Sequence, residues 1–430
     1  MNRKVATSLF FAALAIRLVV AFVVQPWFIE HGYEHWSWEW NDGYEALAKN
    51  LLAHKGYTLD GTSPTASRMP LYPLFLATIL KLFGRRAYIP ATFVAQSLLL
   101  ATVVLLCYHL GTRIFNETAG AIAALIYAFH PSAVIYAARC ATEALFFFLL
   151  AVATTMLVHA LKKPKTLVVA SSGLCFGLAY LTRPVAFLVL PFAALFMLAL
   201  HRDKKPAATT LLVFAVSFLP LVPWAVRNYA ASQRLVVLST WGGAPWFHGY
   251  YFSDNFFKVE GSRLQLDQDA MKLREKLIKE RWPDIEALDG IERELAADEA
   301  AYRLTLEAIS RKPLRSAWLF VRGTMLAWFA NYNRPTIALG LLLFALLFPA
   351  FVWTTLKITK RTFDDPSAKL LVAVVIYFDV VHAIIYPHIR YFSAALFCVA
   401  VLAGAAYAEL LQYTKRRVPW KREPSSPSRI

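Results

Sequence analysis

Apolar stretches of roughly 17–25 residues recur along almost the whole chain, separated by short polar links. That is the length a helix needs to cross the hydrocarbon of a bilayer. The stretches at 5–25, 89–110, 119–136, 144–161, 166–181, 184–200, 208–226, 336–356, 370–386 and 391–413 predict ten transmembrane helices. Residues 71–84 are apolar but short, which predicts a helix packed at the surface or opening the second span. The stretch 316–330 is also apolar, yet Arg315 and Arg322 break it, so it is expected at the membrane interface as an amphipathic helix. Between 258 and 312, Leu264, Leu273, Leu277, Ile291, Leu295 and Leu304 recur at helical spacing among charges, the pattern of a small helical insert. The tail from Val418 to Ile430, rich in Pro, Ser and charge, is expected to be disordered.

Composition supports this picture: 58% of the 430 residues are hydrophobic and only 17% charged, too little charge for a soluble protein of this length. The net charge of +17 adds an orientation. Residues 228–335 carry 15 Lys/Arg against 14 Asp/Glu and are almost neutral. The excess sits in short links: Arg3 and Lys4; Lys162, Lys163 and Lys165; Arg202, Lys204 and Lys205; Lys357, Lys360 and Arg361; Lys415, Arg416 and Arg417. Such clusters mark cytoplasmic loops. They leave residues 27–70 and 228–335 outside, and no interleaved aromatic and basic run points to nucleic acid. The first stretch contains Ala13-Leu14-Ala15 but runs well past it, so it is read as an uncleaved span. Cys107, Cys140, Cys175 and Cys398 are scattered without CxxC or His/Cys ligand spacing, which indicates neither a disulfide framework nor a zinc site. The expected organisation is a transmembrane catalytic module over 1–227 with the outer loop 27–70, an outer helical insert over 228–335, further spans over 336–417 and a cytoplasmic tail over 418–430.

The polar residues worth chemical attention fall on the outer side. W-N-D-G-Y-E-A-L-A-K-N-L-L, 40–52, predicts a short helix with Asp42 and Glu45 as a capping box and Tyr44, Leu47, Ala48, Leu51 and Leu52 as its apolar stripe. Arg68 stands just before two prolines in S-R-M-P-L-Y-P, and Glu143 opens the fourth span. Arg183 lies in the turn between spans five and six, Arg227 and Asn228 at the end of span seven, and His388, Arg390 and Tyr391 between the last two spans. A single arginine at a span end is explained by snorkelling to headgroups. Several at outer ends run against the positive-inside bias and point to an anion site, for which lipid phosphate is the natural ligand at that depth.

In chain order, D-G-Y-x-x-L-A-x-N-L, R-M-P-L-Y-P-L-F, A-T-E-A-L-F, L-T-R-P, P-W-A-V-R-N-Y, L-S-T-W-G-G and H-I-R-Y-F resemble the bacterial relatives of dolichyl-phosphate-mannose protein mannosyltransferases. The lipid A aminoarabinose transferases are similar, and both belong to the GT-C class of membrane glycosyltransferases. The resemblance runs from the first span to the last. It implies an all-α polytopic bundle of the GT-C type, a polyprenyl-phosphate-sugar donor, and a lipid, glycan or protein acceptor. It also implies a bacterial inner membrane with the active site facing the periplasm or cell exterior. A carboxylate of the first outer loop belongs at the reaction centre, which implies Asp42. Family members often carry an Asp-Glu pair there; here Gly43 follows, so a second acid would come from Glu39, Glu45 or Glu143. The R-M-P-L-Y-P segment resembles the family's element beside the donor phosphate and implicates Arg68. For Glu143, Arg183, Arg227, His388 and Arg390 it implies only a place around the cavity.

The chemistry leads the same way. A hydroxyl attacking an anomeric carbon needs a base, whereas a lipid phosphate leaving group needs charge stabilisation. Asp42 and Glu143 are the catalytic candidates. Tyr44, Arg68, Tyr72, Arg183, Arg227, Asn228, His388, Arg390 and Tyr391 are the substrate-binding candidates. One base without a covalent nucleophile predicts inversion. No D-x-D triplet lies in the first outer loop, so neither metal nor cofactor is expected. The alternative is a transporter or flippase of lipid-linked sugars without transfer activity, for which Asp379 and His382, one turn apart in span nine, are the candidate groups.

Overall fold

The computed structural model describes residues 3–31, 42–200, 204–259 and 262–417. Glu39 and the tail beyond Arg417 lie outside them. The described chain is helical, with one isolated bridge between Thr58 and Pro64. The helices are α1 (Arg3–Glu30), α2 (Tyr44–Leu52), α3 (Leu71–Ile114), α4 (Glu117–Phe129), α5 (Pro131–Ala138), α6 (Glu143–Lys162), α7 (Thr166–Tyr180) and α8 (Pro184–Leu200). Then follow α9 (Lys205–Ser217), α10 (Leu221–Ser232), α11 (Gly243–Asn255), α12 (Leu264–Arg281), α13 (Gly290–Arg311), α14 (Pro313–Phe329), α15 (Arg334–Thr359), α16 (Pro366–Ile385) and α17 (Ile389–Thr414).

Six of these, α1, α3, α6, α15, α16 and α17, are long and apolar enough to cross a bilayer. The pairs α4–α5 and α9–α10 bend by 61° and 42° and raise the number to eight if each is one span. The breaks fall at His130-Pro131 and before Pro220, where a proline removes a backbone donor. Helices α7 and α8 stand where the fifth and sixth spans were expected. The 15 residues of α7 reach only about 22 Å, short of the ~30 Å hydrocarbon core. Among the described residues six helices, or eight if each bent pair is one span, are thus long and apolar enough to cross a bilayer, against the ten spans expected. The stretch 71–84 is the first part of α3, divided from the rest by Gly84 at φ 72°.

Helices α6, α16 and α17 form the buried centre, while α1 and α15 lie at the periphery. Small residues allow the closest crossings. A Cβ on Gly111 of α3 would stand 2.6 Å from the Gly120 Cα of α4, so these backbones touch, as packed helices in lipid commonly do.

The helix ends gather different groups at the two ends of the bundle. At one end Lys162 pairs with Asp365 at 3.5 Å, Lys369 reaches the Leu200 carbonyl at 3.1 Å, and Phe115 stacks on Phe363. Lys357, whose carbonyl accepts from the Phe363 N–H at 3.2 Å, belongs to the same end. At the other end the 42–70 segment meets the starts of α6, α8 and α17 under the insert α11–α14. Helix α14 buries Leu319, Gly323, Leu326 and Trp328 and leaves Trp318, Val321 and Met325 exposed, the two-faced pattern expected of 316–330. The insert is fastened by Asp267 of α12, whose carboxylate accepts from Tyr332 at 2.8 Å and from Tyr386.

Candidate active site

The site is organised by a turn. Gly43, at φ +80°, is the N-cap of α2, and no side chain caps that helix. The expected Asp42–Glu45 capping box is therefore not formed. Glu45 instead accepts from Tyr88 at 2.5 Å and pairs with Lys49, on the exposed side of α2, so it is no second acid for the site. A side chain at residue 43 would stand in a strained left-handed backbone region and press on the tip of Leu59, which suits the Gly that replaces the second acid here. Released from capping, the Asp42 carboxylate meets Arg390 Nη2 at 3.3 Å with about a third of the side chain still exposed (35%).

Behind it, Glu143 opens α6 with no exposed surface (0%). Its Oε1 accepts from Arg390 Nε and from Arg183 Nη1, the latter at 3.1 Å. One carboxylate thus neutralises two guanidiniums, an arrangement whose desolvation is offset only because the charges and hydrogen bonds coincide. Glu143 does not reach the cavity described next, and the structure makes it a counter-ion rather than a group facing a substrate. His388 caps the turn that carries Arg390, its Nδ1 accepting from the Arg390 backbone N–H at 3.0 Å. Burial holds His388 down to about 3, so the ring is neutral and adds no charge of its own. The Tyr391 ring lies beneath the guanidiniums of Arg183 and Arg390 at 5.0 and 5.7 Å.

These groups border a cavity of about 560 Å³. Asp42, Tyr44, Arg68, Arg183, Arg390 and Tyr391 line it, and Asp42 is its one acidic residue among the described residues. Burial, reinforced by the Asp42 charge, pushes the Tyr44 phenol up to about 12, so it stays a hydrogen-bond donor. Arg68 donates to the Asp42 carbonyl at 3.0 Å and stacks over Trp241 at 4.7 Å. Tyr72 stands one layer back, edge-on to Tyr44, with its hydroxyl on Gln96 at 2.9 Å.

Arg227 and Asn228 are not brought to the cavity, contrary to the expectation. The Arg227 fork holds the Thr65 carbonyl at 2.6 Å and the Tyr57 carbonyl at 2.9 Å, and Asn228 donates to the Val236 carbonyl at 2.9 Å. They brace the loop that carries Arg68, a task suited to a planar guanidinium. The pair Asp379–His382 is split. Asp379 accepts from Trp328 at 3.1 Å, whereas His382 lines the cavity with both ring nitrogens buried and without partners. The wall contributed by Trp241, Trp246 and Tyr302 was not anticipated, although Trp241 stands inside L-S-T-W-G-G. Among the described residues, no group of three or more His, Cys, Asp or Glu side chains could hold a metal ion.

The sequence pattern of the family described as dolichyl-phosphate-mannose-protein mannosyltransferase matches residues 65–225, which include Arg68, Glu143 and Arg183. No curated protein matches the chain at a significant level. Among solved structures, the apo oligosaccharyltransferase of Archaeoglobus fulgidus superposes with a TM-score of 0.58 at 16% identity over 97% of this chain and 52% of that one. The fold is that of the GT-C membrane glycosyltransferases. The archaeal oligosaccharyltransferase AglB of the same organism, solved with an inhibitory peptide and a dolichol-phosphate, superposes at 0.56 with 15% identity over 98% and 52% of the two chains. The chain thus spans about half the length of the oligosaccharyltransferases it matches. Its likeness to ArnT of Cupriavidus metallidurans is looser, with a TM-score of 0.36 at 14% identity over 85% and 72%. The chain is a helical integral membrane protein of this fold class.

Proposed function

We propose that this chain transfers a sugar from a polyprenyl-phosphate-linked donor to a hydroxyl of a lipid, glycan or protein acceptor, at the periplasmic or exterior face of a bacterial cytoplasmic membrane. One observation carries the reading: a lone cavity carboxylate, Asp42, faces the guanidiniums of Arg68, Arg183 and Arg390. A phosphate is the ligand such a set of donors fits. The dolichol-phosphate seen in the similar archaeal enzyme supports a lipid-linked donor.

In this reading the donor phosphate lies against Arg183 and Arg390 and competes with Asp42 for the latter, loosening the 3.3 Å contact. Asp42 takes the proton of the acceptor hydroxyl as its oxygen bonds to the anomeric carbon. The carbon–oxygen bond to phosphate breaks, its electron pair leaves with the phosphate, and the arginines stabilise that charge. Attack opposite the leaving group inverts the anomeric carbon. Glu143 holds the two arginines in place and takes no proton. Tyr44 and Tyr391 shape the walls, and Tyr72, Arg227, Asn228 and His388 position their neighbours.

Asp42→Asn tests the base. Since Asp42 does not cap α2, the variant keeps the fold and farnesyl phosphate binding. Single-turnover transfer from a labelled polyprenyl-phosphate sugar in detergent should fall by about two to four orders of magnitude. Retained transfer moves the base elsewhere. Absence of transfer by the wild type, with donor bound and acceptor extracts supplied, favours transport of lipid-linked sugars instead.

A further inference from the structure

A second cavity, of about 710 Å³, lies between the insert helices and the loop that carries Arg68. It shares Ser67, Arg68 and Trp241 with the first, so Trp241 and Arg68 form the partition between the two. Trp282, Ile278 and Ile285 supply apolar and aromatic wall, and the volume is that of a site for a small organic ligand.

The feature that points to a ligand is Arg274. Helix α12 buries Leu266, Ala270 and Arg274 at four-residue spacing, so an arginine stands where a core-facing stripe calls for an apolar side chain. It is 8% exposed, and its Nη1 has no hydrogen-bond partner. The nearest ion-pair partner, the exposed Glu275, is 3.8 Å from Nη2. Among the described residues no other acid of the cavity pairs directly with Arg274, although the Asp298 charge acts on it from a distance. Asp298 Oδ1 accepts from the N–H groups of Gly242 and Gly243 at 2.9 and 2.7 Å. Glu294 is taken up by Ala66 N–H at 2.9 Å, Thr240 at 2.6 Å and Thr65, and Glu286 by Lys279 at 3.1 Å. Arg274 is thus a buried cation in the cavity wall with one donor left unfilled, an incomplete site for an anion. The Arg274 guanidinium carbon lies 5.2 Å from the Trp241 ring centroid and that of Arg68 lies 4.7 Å from it, so their separation cannot exceed the sum of the two. A sugar phosphate is long enough to span that reach.

We propose that the second cavity binds the acceptor and that the acceptor is an anionic saccharide. Its phosphate or carboxylate sits on Arg274, its ring lies against the Trp241 and Trp282 walls, and its hydroxyl passes the partition toward Asp42. The assignment of this ligand as acceptor rests on the glycosyl-transfer reading above; the anion site itself rests on Arg274.

The test is a titration of the purified full chain in detergent, with farnesyl phosphate saturating the first cavity. Glucose 6-phosphate, glucuronate and glucose are compared by tryptophan fluorescence. The two anionic sugars should bind at least ten-fold more tightly than glucose. Arg274→Gln should remove that advantage while leaving farnesyl phosphate affinity unchanged. Ala297→Phe, which fills the second cavity with Arg274 intact, should abolish binding of both anionic sugars and covers the case in which the glutamine variant fails to fold. Equal affinity for the three sugars, or anionic sugar binding that survives both variants, overturns the proposal. Preference for glucose 6-phosphate over glucuronate identifies the anion as a phosphate and the reverse as a carboxylate, either supporting the site. Anionic sugar binding in a chain that fails to bind farnesyl phosphate would sink the glycosyl-transfer reading while leaving the Arg274 site standing.

Discussion

Both ends of the helical bundle hold paired charges, but the pairs face different surroundings. At the end with the basic clusters, Lys162 meets Asp365 at 3.5 Å and Lys357 meets Glu409, all partly exposed side chains that water screens. At the opposite end a fully buried Glu143 serves Arg183 and Arg390 together, and the surplus positive charge opens onto a cavity beside Asp42. The first set is satisfied by its own carboxylates and by water and asks for no ligand. The second leaves cationic donors around a half-open cavity, the setting on which the proposed phosphate site rests. Local concentration of arginine and lysine therefore says less about function than the shortage of carboxylates around them.

The largest effect that bears on this comparison is an all-or-none one. Ser262→Cys should react with an impermeant maleimide in intact cells, and Lys163→Cys only after permeabilisation. The opposite pattern reverses the two ends and removes the proposed outer face. Next in size is Glu143→Gln, which leaves the buried Arg390 and the half-buried Arg183 without their shared counter-ion and should cost about 3–5 kcal/mol, read as a lowered unfolding midpoint in detergent. Lys162→Gln at the other end should cost about 0–1 kcal/mol. Similar losses for the two would erase the distinction drawn here. Within the cavity end, Arg183→Gln should weaken farnesyl phosphate binding by roughly ten- to a hundred-fold, the loss of one charge-assisted contact of ~1.5–3 kcal/mol. Arg227→Gln should lower the unfolding midpoint yet change that affinity by no more than about three-fold, as expected of a group bonded to backbone carbonyls. An equal loss of affinity in both would return Arg227 to the phosphate site.

Much of this was legible in the chain. Apolar length defines a helical membrane bundle, because a bilayer acts on each segment without reference to the others. The outer arginines and Asp42 could be singled out for the same reason. What the pattern could not show is which arginine faces what. Arg183 and Arg227 each stand beside Pro or Asn at a span end; one lines the cavity and the other grips two carbonyls of a distant loop. Asp42 read as a helix cap until the left-handed turn at Gly43 placed it elsewhere. Arg274 looked like one of many charges on an insert helix, and only the packing of α12 put it on the buried stripe. The decisive partners are remote: Arg390 lies 348 positions from Asp42 and 247 from Glu143. Hydropathy and charge act locally and are written residue by residue. The site depends on which side chains the packed bundle brings to the same few ångströms, and that is settled by the tertiary structure alone.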